Sequence, residues 1–183
     1  MLGFEACNYN DRKYSYLTKM LSILFGGGIS SRLFQNIREK LGLCYSIYSF
    51  NSSYQDTGLF SIYAACAHDK VPLLINSIGD ELHKLLENIT SIELDRTKAQ
   101  IKANIKMSQE SVSYVSSSLA YNLAMFGEHY TYEYILNEYI LPVTTSDLVE
   151  AAKQIFSKNL TCAFVGDKNV KLDYDEISNI LKI

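Results

Sequence analysis

The stretch Leu24-Phe25-Gly26-Gly27-Gly28-Ile29-Ser30-Ser31-Arg32-Leu33-Phe34-Gln35-Asn36-Ile37-Arg38-Glu39-Lys40-Leu41-Gly42-Leu43-Cys44-Tyr45 reads as the end of one helix, a glycine loop, a second helix and the start of a strand. Gly26 to Gly28 stop the first helix, because glycine loses the most backbone entropy on ordering and tolerates positive φ. Ser30 and Ser31 are the candidate N-caps of the next helix, each with a hydroxyl able to accept from a free first-turn amide. Leu33, Phe34, Ile37 and Leu41 recur at helical spacing and predict one apolar stripe. Gly42 suits a left-handed C-cap. From Leu43 to Ser53 the pattern alternates as a strand does, with Tyr45, Ile47 and Ser49 on one face and Cys44, Ser46 and Tyr48 on the other. Arg38 falls in the last turn of the helix and Tyr45 at the start of the strand. A helix running straight into a strand brings these two side chains to one edge of a sheet.

On the N-terminal side of this stretch, Leu2 to Cys7 predicts a strand and Asn8 to Asp11 a turn. Tyr14 to Phe25 predicts a helix with Tyr14, Leu17, Leu21 and Leu24 on one side. On the C-terminal side, Tyr54 to Gly58 reads as a hairpin loop, Leu59 to Ala67 as the returning strand and His68 to Lys70 as a connector. Val71 to Leu86 is a helix with Pro72 tolerated in its first turn. Thr90 and Glu93 have capping-box spacing and open a long helix to about Glu110, whose inner positions are Leu94, Ala99, Ile101, Ile105 and Met107. The serines between 108 and 118 predict a break or a tight helix pair. Two further helices follow, Tyr114 to Phe126 ended by Gly127, and Tyr132 to Ile140 ended by Leu141-Pro142. Ser146 is the expected cap of a helix from Asp147 to Phe156. Thr161 to Val165 is the last strand and Gly166-Asp167 turns it. Asp173 with Glu176 opens a terminal helix, Tyr174 to Leu181. Strands joined partly by a hairpin and partly across helices predict an α+β fold, in which a mixed or antiparallel sheet carries helices packed on one face. Residues 1–183 are expected to form a single domain.

Composition narrows the function. The chain has 183 residues, 48% of them hydrophobic, which is enough for a sizeable core. A net charge of -3 argues against a nucleic-acid partner. No apolar run approaches the ~20 residues of a membrane span, and the N-terminus has no basic region followed by an apolar one. The expectation is a soluble, cytosolic chain with no membrane association. Cys7, Cys44, Cys66 and Cys162 form no CxxC pair and read as free thiols in a reducing compartment.

Metal and nucleophile motifs are absent from the sequence. His68, His83 and His129 fit neither HExxH nor HxxEH, and His83 with Glu87 supplies too few ligands for a zinc ion. The three glycines lack the GxxxxGK[ST] and GxGxxG patterns and lie between helices, so they read as a loop breaker. No GxSxG elbow occurs, and Cys44 reads as a packed thiol. The basic residues from Arg96 to Lys106, balanced by Glu93, Asp95 and Glu110, read as a solvated helix face. Arg38 and Tyr45 remain. Together they can donate hydrogen bonds to a developing oxyanion or a substrate carbonyl. They can equally pair with a helix-end carbonyl and pack, and residue chemistry alone favours that second reading.

The run from Gly26 to Ile47 resembles the second half of the M16 family, the pitrilysin-like zinc metallopeptidases, and is most similar to the bacterial and mitochondrial-processing-peptidase branch. Leu2 to Ala6 resembles the first strand of that half and Tyr54 to Phe60 its hairpin, so the likeness covers nearly the whole chain. The resemblance implies a fold of paired α+β, ferredoxin-like halves around a peptide chamber. The first half carries HxxEH and a downstream Glu for zinc and the general base. The second supplies an Arg and a Tyr, matched here by Arg38 and Tyr45. By that likeness Tyr45 stabilises the tetrahedral oxyanion, and Arg38 binds substrate or supports Tyr45. No cofactor is then expected in this chain, and zinc is expected in the first half. The implied partners are a peptide substrate and an HxxEH-bearing half or subunit, with self-association into a homo-oligomer when the chain is isolated. The first strand is expected to be entered partway, as in a separate subunit, a truncated gene product or a piece of a longer peptidase. A non-catalytic structural or assembly subunit of the same family is the alternative. The longer glycine-rich loop of the non-catalytic mitochondrial subunit is not matched, so its substrate-recognition role is not carried over.

Overall fold

Four strands build one antiparallel sheet in the order β2 (Ser46–Ser53), β3 (Gly58–Ala65), β1 (Leu2–Ala6), β4 (Leu160–Cys162). The computed structural model describes residues 1–166 and 173–182. Along the chain these are β1 (Leu2–Ala6), α1 (Arg12–Gly26), a π-helical segment (Phe34–Lys40), β2 (Ser46–Ser53) and β3 (Gly58–Ala65). After a short 3₁₀ turn come α2 (Val71–Glu87), α3 (Ser91–Gln109) and α4 (Val112–Phe126). Then α5 (Tyr132–Ile135) runs into a second π segment (Leu136–Ile140), followed by α6 (Thr145–Phe156), β4 (Leu160–Cys162) and α7 (Tyr174–Leu181). The fold is α+β as expected, and among the described strands the sheet is wholly antiparallel. No helix among the described residues is long and apolar enough to cross a membrane.

The period-2 pattern of the strands decides which sheet face is covered. Leu2, Phe4, Ile47, Phe60 and Ile62 are all buried on the face that meets the helices. Phe156 of α6 anchors this layer. Its ring meets Phe4 edge-on at 5.1 Å and Phe60 edge-on at 5.3 Å, geometry that aromatic quadrupoles favour. The other face stays more open, where Tyr48 stacks on Tyr63 at 5.0 Å.

Local capping chemistry sets the helix starts. Asp11 accepts from the Tyr14 amide at 3.0 Å, so α1 begins at Arg12, two residues before the expected start. The Thr90–Glu93 capping box forms as expected. Ser111 caps α4 and breaks it from α3. Thr144, and not Ser146, caps α6. Extended backbone at Thr144 lets it bond the Asp147 amide at 3.2 Å while the Asp147 carboxylate returns to the Thr144 amide at 2.8 Å. Asp173 caps α7 through the Asp175 and Glu176 amides.

Two further expectations change. β4 ends at Cys162, although the Ala163 amide still donates to the Met1 carbonyl at 2.8 Å. Phe164 and Val165 beyond it are exposed. The turn expected at Gly166-Asp167 lies partly outside the described residues. On α3 the buried set is Leu94, Thr97 and Ile101, with Ala99 and Met107 exposed. At about 100° per residue, positions 94, 97 and 101 share a face, whereas 99 and 107 turn away from it.

Candidate functional site

The C-terminal end of α1 lies directly on the backbone of β2. A Cβ on Gly26 would sit 2.4 Å from the Ser49 nitrogen and 2.6 Å from its Oγ. Ser49 Oγ donates to the Ser22 carbonyl at 2.8 Å across the same contact. This corrects the sequence-based reason for the glycines. Positive φ among the described residues occurs only at Gly42 and Gly127. Gly26 is required by close approach, not by backbone freedom.

Beyond the glycines, Ser31 Oγ donates to the Gly28 carbonyl at 2.6 Å, and Gln35 Nε2 donates to the Ile29 carbonyl at 2.6 Å. The Ser31 hydroxyl is thereby engaged by the loop. No side chain caps the segment that follows, so the expected caps at Ser30 and Ser31 do not form. Arg32 takes over the anchoring. Its Nε and Nη2 donate to the two carboxylate oxygens of Glu93 at 2.6 and 2.8 Å, and Nη2 also reaches the Asn88 carbonyl at 2.7 Å. Asn36 adds a second tie by donating to Glu81 at 2.7 Å. Glu81 is a buried carboxylate that Lys84 also meets at 2.8 Å.

The helix carrying Arg38 is wound as a π-helix, a geometry common at functional sites. The wider turn changes the apolar stripe. Leu33 and Ile37 are fully buried, Phe34 is half-buried, and Leu41 is exposed, contrary to expectation. Gly42, at φ +59°, closes the helix as expected. Its amide bonds the Arg38 carbonyl at 3.2 Å, and the Leu43 amide reaches back to Ile37 at 3.2 Å. That left-handed turn feeds the chain into β2.

Arg38 and Tyr45 come together at the start of β2. The Arg38 guanidinium carbon lies 4.6 Å from the Phe34 ring centroid and 5.4 Å from that of Tyr45, within cation–π range. Glu39 approaches Arg38 only to 3.8 Å, so its ionic neutralisation is weak. Tyr45 is 84% exposed and Cys44 is buried, the reverse of the expected alternation. The cause is a step in the ladder. Ser46 pairs with Ala65, yet the Tyr45 amide also donates to the Ala65 carbonyl at 3.2 Å. Two residues then oppose one, as in a bulge, and the side-chain phase slips. Burial and neighbouring Cys66 push the Cys44 thiol up despite Arg38, so Cys44 stays protonated at neutral pH and is a packed thiol.

Arg38 and Tyr45 thus present an aromatic-backed guanidinium and an exposed phenol on one rim, a donor pair suited to an oxygen anion or a carbonyl. Among the described residues no group of three His, Cys, Asp or Glu side chains could hold a metal ion, so these residues do not fit a zinc site. Arg32, Asn36 and Glu81, which fix the helix carrying Arg38, were not singled out from the sequence. The Thr90-x-x-Glu93 spacing marked Glu93 as a cap, but not its bond to Arg32.

Sheet, helical layer and rim pair define an α+β module that offers hydrogen-bond donors at the edge of its sheet. Residues 1–101 match the family model described as the peptidase M16 inactive domain, and the chain belongs to that family. It is 43% identical over 170 residues to an "uncharacterized zinc protease" of Rickettsia bellii, covering 93% of this chain and 41% of the relative. A solved protease from Helicobacter pylori superposes with a TM-score of 0.76 at 27% identity, covering 86% of this chain and 38% of that one. A chain of complex III from Candida albicans shares the fold at a TM-score of 0.85 and 21% identity, covering 100% of this chain and 46% of that one. The chain spans about two fifths of the length of the curated relatives it matches.

Proposed function

We propose that this chain, acting as one domain over residues 1–183, is the substrate-binding half of a zinc metalloendopeptidase that processes or degrades peptides. It is inactive until an HxxEH-bearing half or subunit closes over it. The observation that carries this reading is the meeting of Arg38 and Tyr45 on one exposed rim. Membership of the peptidase M16 inactive-domain family supports it. The zinc and the general base belong to the other half. Tyr45 donates its phenolic hydrogen to the oxyanion that forms on the scissile carbonyl. Arg38, backed by Phe34, holds the peptide or keeps the Tyr45 ring in place. The setting is the cytoplasm of a bacterial cell, and the isolated chain self-associates.

Mixing the chain with an HxxEH-bearing half and following peptide turnover tests this. Tyr45→Phe is expected to slow turnover by about a hundredfold, the size of losing one oxyanion donor. Because Tyr45 is exposed, the same change leaves the melting temperature unaltered. Unchanged turnover overturns the role of Tyr45. A structural or assembly subunit is the second reading, favoured by the likeness in fold to a complex III chain. A pull-down that recovers membrane-complex proteins and no peptidase half supports it.

A further inference from the structure

Arg12, Tyr16 and Lys19 on α1, Tyr121 and Phe126 on α4, and Asn51 and Ser53 on β2 line an open cavity of about 260 Å³. The two cations lie seven residues apart, about two helical turns, and so share one face. No acidic side chain lines the cavity. Neither cation belongs to any ion pair formed among the described residues. Tyr130 donates to Glu128 nearby, and Glu128 does not pair with Arg12.

Arg12 is held in place by rings. Its guanidinium carbon lies 4.2 Å from the Phe126 centroid and 4.3 Å from that of Tyr130. Its guanidinium makes no hydrogen bond among the described residues, so its N–H fork can meet a pair of oxygens, the arrangement that recognises carboxylates. Lys19 is exposed at this face, and the neighbouring walls lower its ammonium from the ordinary lysine range by desolvation. An anion beside it favours its charged form. The aromatic lining adds a second requirement. Phe126 meets Tyr9 edge-on at 5.4 Å and Tyr121 edge-on at 6.2 Å, which leaves a ring-walled slot. Inorganic phosphate would satisfy the cations and leave those walls wet. The volume falls below the about 300 Å³ at which drug-sized sites begin, and suits a single residue.

We propose that this cavity binds the carboxylate of a small aromatic or apolar acid, the chemistry of a peptide's C-terminal residue. Arg12 and Lys19 grip the carboxylate, and the rings of Tyr16, Tyr121 and Phe126 pack the side chain. Asn51 and Ser53 stand at the opposite end of β2 from Tyr45. They lie six and eight residues along the chain from Tyr45, about 20 to 26 Å at ~3.3 Å per residue. The inference therefore stands on this cavity alone and does not depend on the roles of Arg38 and Tyr45.

Calorimetric titration of the intact protein with N-acetylphenylalanine, its carboxamide, an acetylated peptide ending in phenylalanine and inorganic phosphate tests it. The free acid is expected to bind at least about tenfold more tightly than the amide, the worth of one charge-assisted hydrogen bond. Arg12→Gln and Lys19→Gln are each expected to weaken it by about tenfold, while Lys106→Gln, at an exposed position on α3, leaves it unchanged. Tighter binding of the peptide than of the acetylated amino acid supports the site and identifies a chain terminus as its source. Equal binding supports the site with the free acid as its source. The idea is overturned by equal affinity for acid and amide, by phosphate binding more tightly than the acid, or by no binding of any probe at millimolar concentration. The comparison of acid with amide needs no variant, so it holds even if a substituted chain fails to fold.

Discussion

Arg32 and Arg38 lie six residues apart and have opposite surroundings. Arg32 spreads its fork over both oxygens of Glu93 and is largely buried. Arg38 lies between two rings with only a long approach to Glu39. The first holds the structure, and the second makes no side-chain hydrogen bond among the described residues. Burial works against the Glu93 charge, but Arg32 and the Thr90 amide and hydroxyl outweigh it. The Glu93 carboxyl is therefore held below its ordinary value of 4.5. A carboxylate with a depressed folded pKa stabilises above its unfolded pKa and loses that contribution as pH falls through the folded value. Urea midpoints measured between about pH 6 and pH 3 are expected to drop more steeply for the natural protein than for Arg32→Ala. At neutral pH, Arg32→Ala is expected to lose about 2 kcal/mol, the scale of hydrogen bonds to a charged group. Parallel pH profiles for the two proteins would show that the pair contributes nothing.

At the scale of elements, the contact of α1 with β2 positions everything after it. Gly26 lets a helix end rest on a strand, and Ser49 ties the two together. A Cβ there meets backbone, which cannot rotate aside. Gly26→Ala is expected to cost about 3 kcal/mol, lowering the melting temperature by about 6 °C or more in a chain of this size. At Gly28 the same methyl group would meet only the end of the Gln100 side chain, at 3.2 Å. Gly28→Ala is expected to cost under about 1 kcal/mol, since a flexible amide can give way. Equal losses at the two positions would mean that the close approach is not what glycine is needed for.

Across the whole molecule, α4 stands out because it runs for 15 residues and none of them is buried. Val112, Leu123 and Met125 are exposed, as are Tyr114 and Tyr121. A helix so apolar and so open supports the proposed self-association, because exposed apolar surface attracts partners. Sedimentation equilibrium at about 10 μM is expected to give a dimer or larger species, and Leu123→Lys is expected to shift it toward monomer. A clean monomer of the natural chain at that concentration counts against it.

What the sequence determined by itself is local. The α1 stripe of Leu17, Leu21 and Leu24, the Thr90–Glu93 box, the left-handed cap at Gly42 and the hairpin between β2 and β3 all appear where the pattern placed them. So does the meeting of Arg38 with Tyr45, because only a turn and a few residues separate them. Each is settled by hydrogen bonds and side-chain periods within one or two turns of chain. The tertiary structure decided the rest. It made Gly26 a contact residue, slipped the strand phase at Tyr45 and assigned Arg32 to Glu93, 61 residues away. It also set Arg12 against Phe126. Those outcomes depend on which surfaces meet when the core closes, and no spacing within a short stretch of chain encodes that.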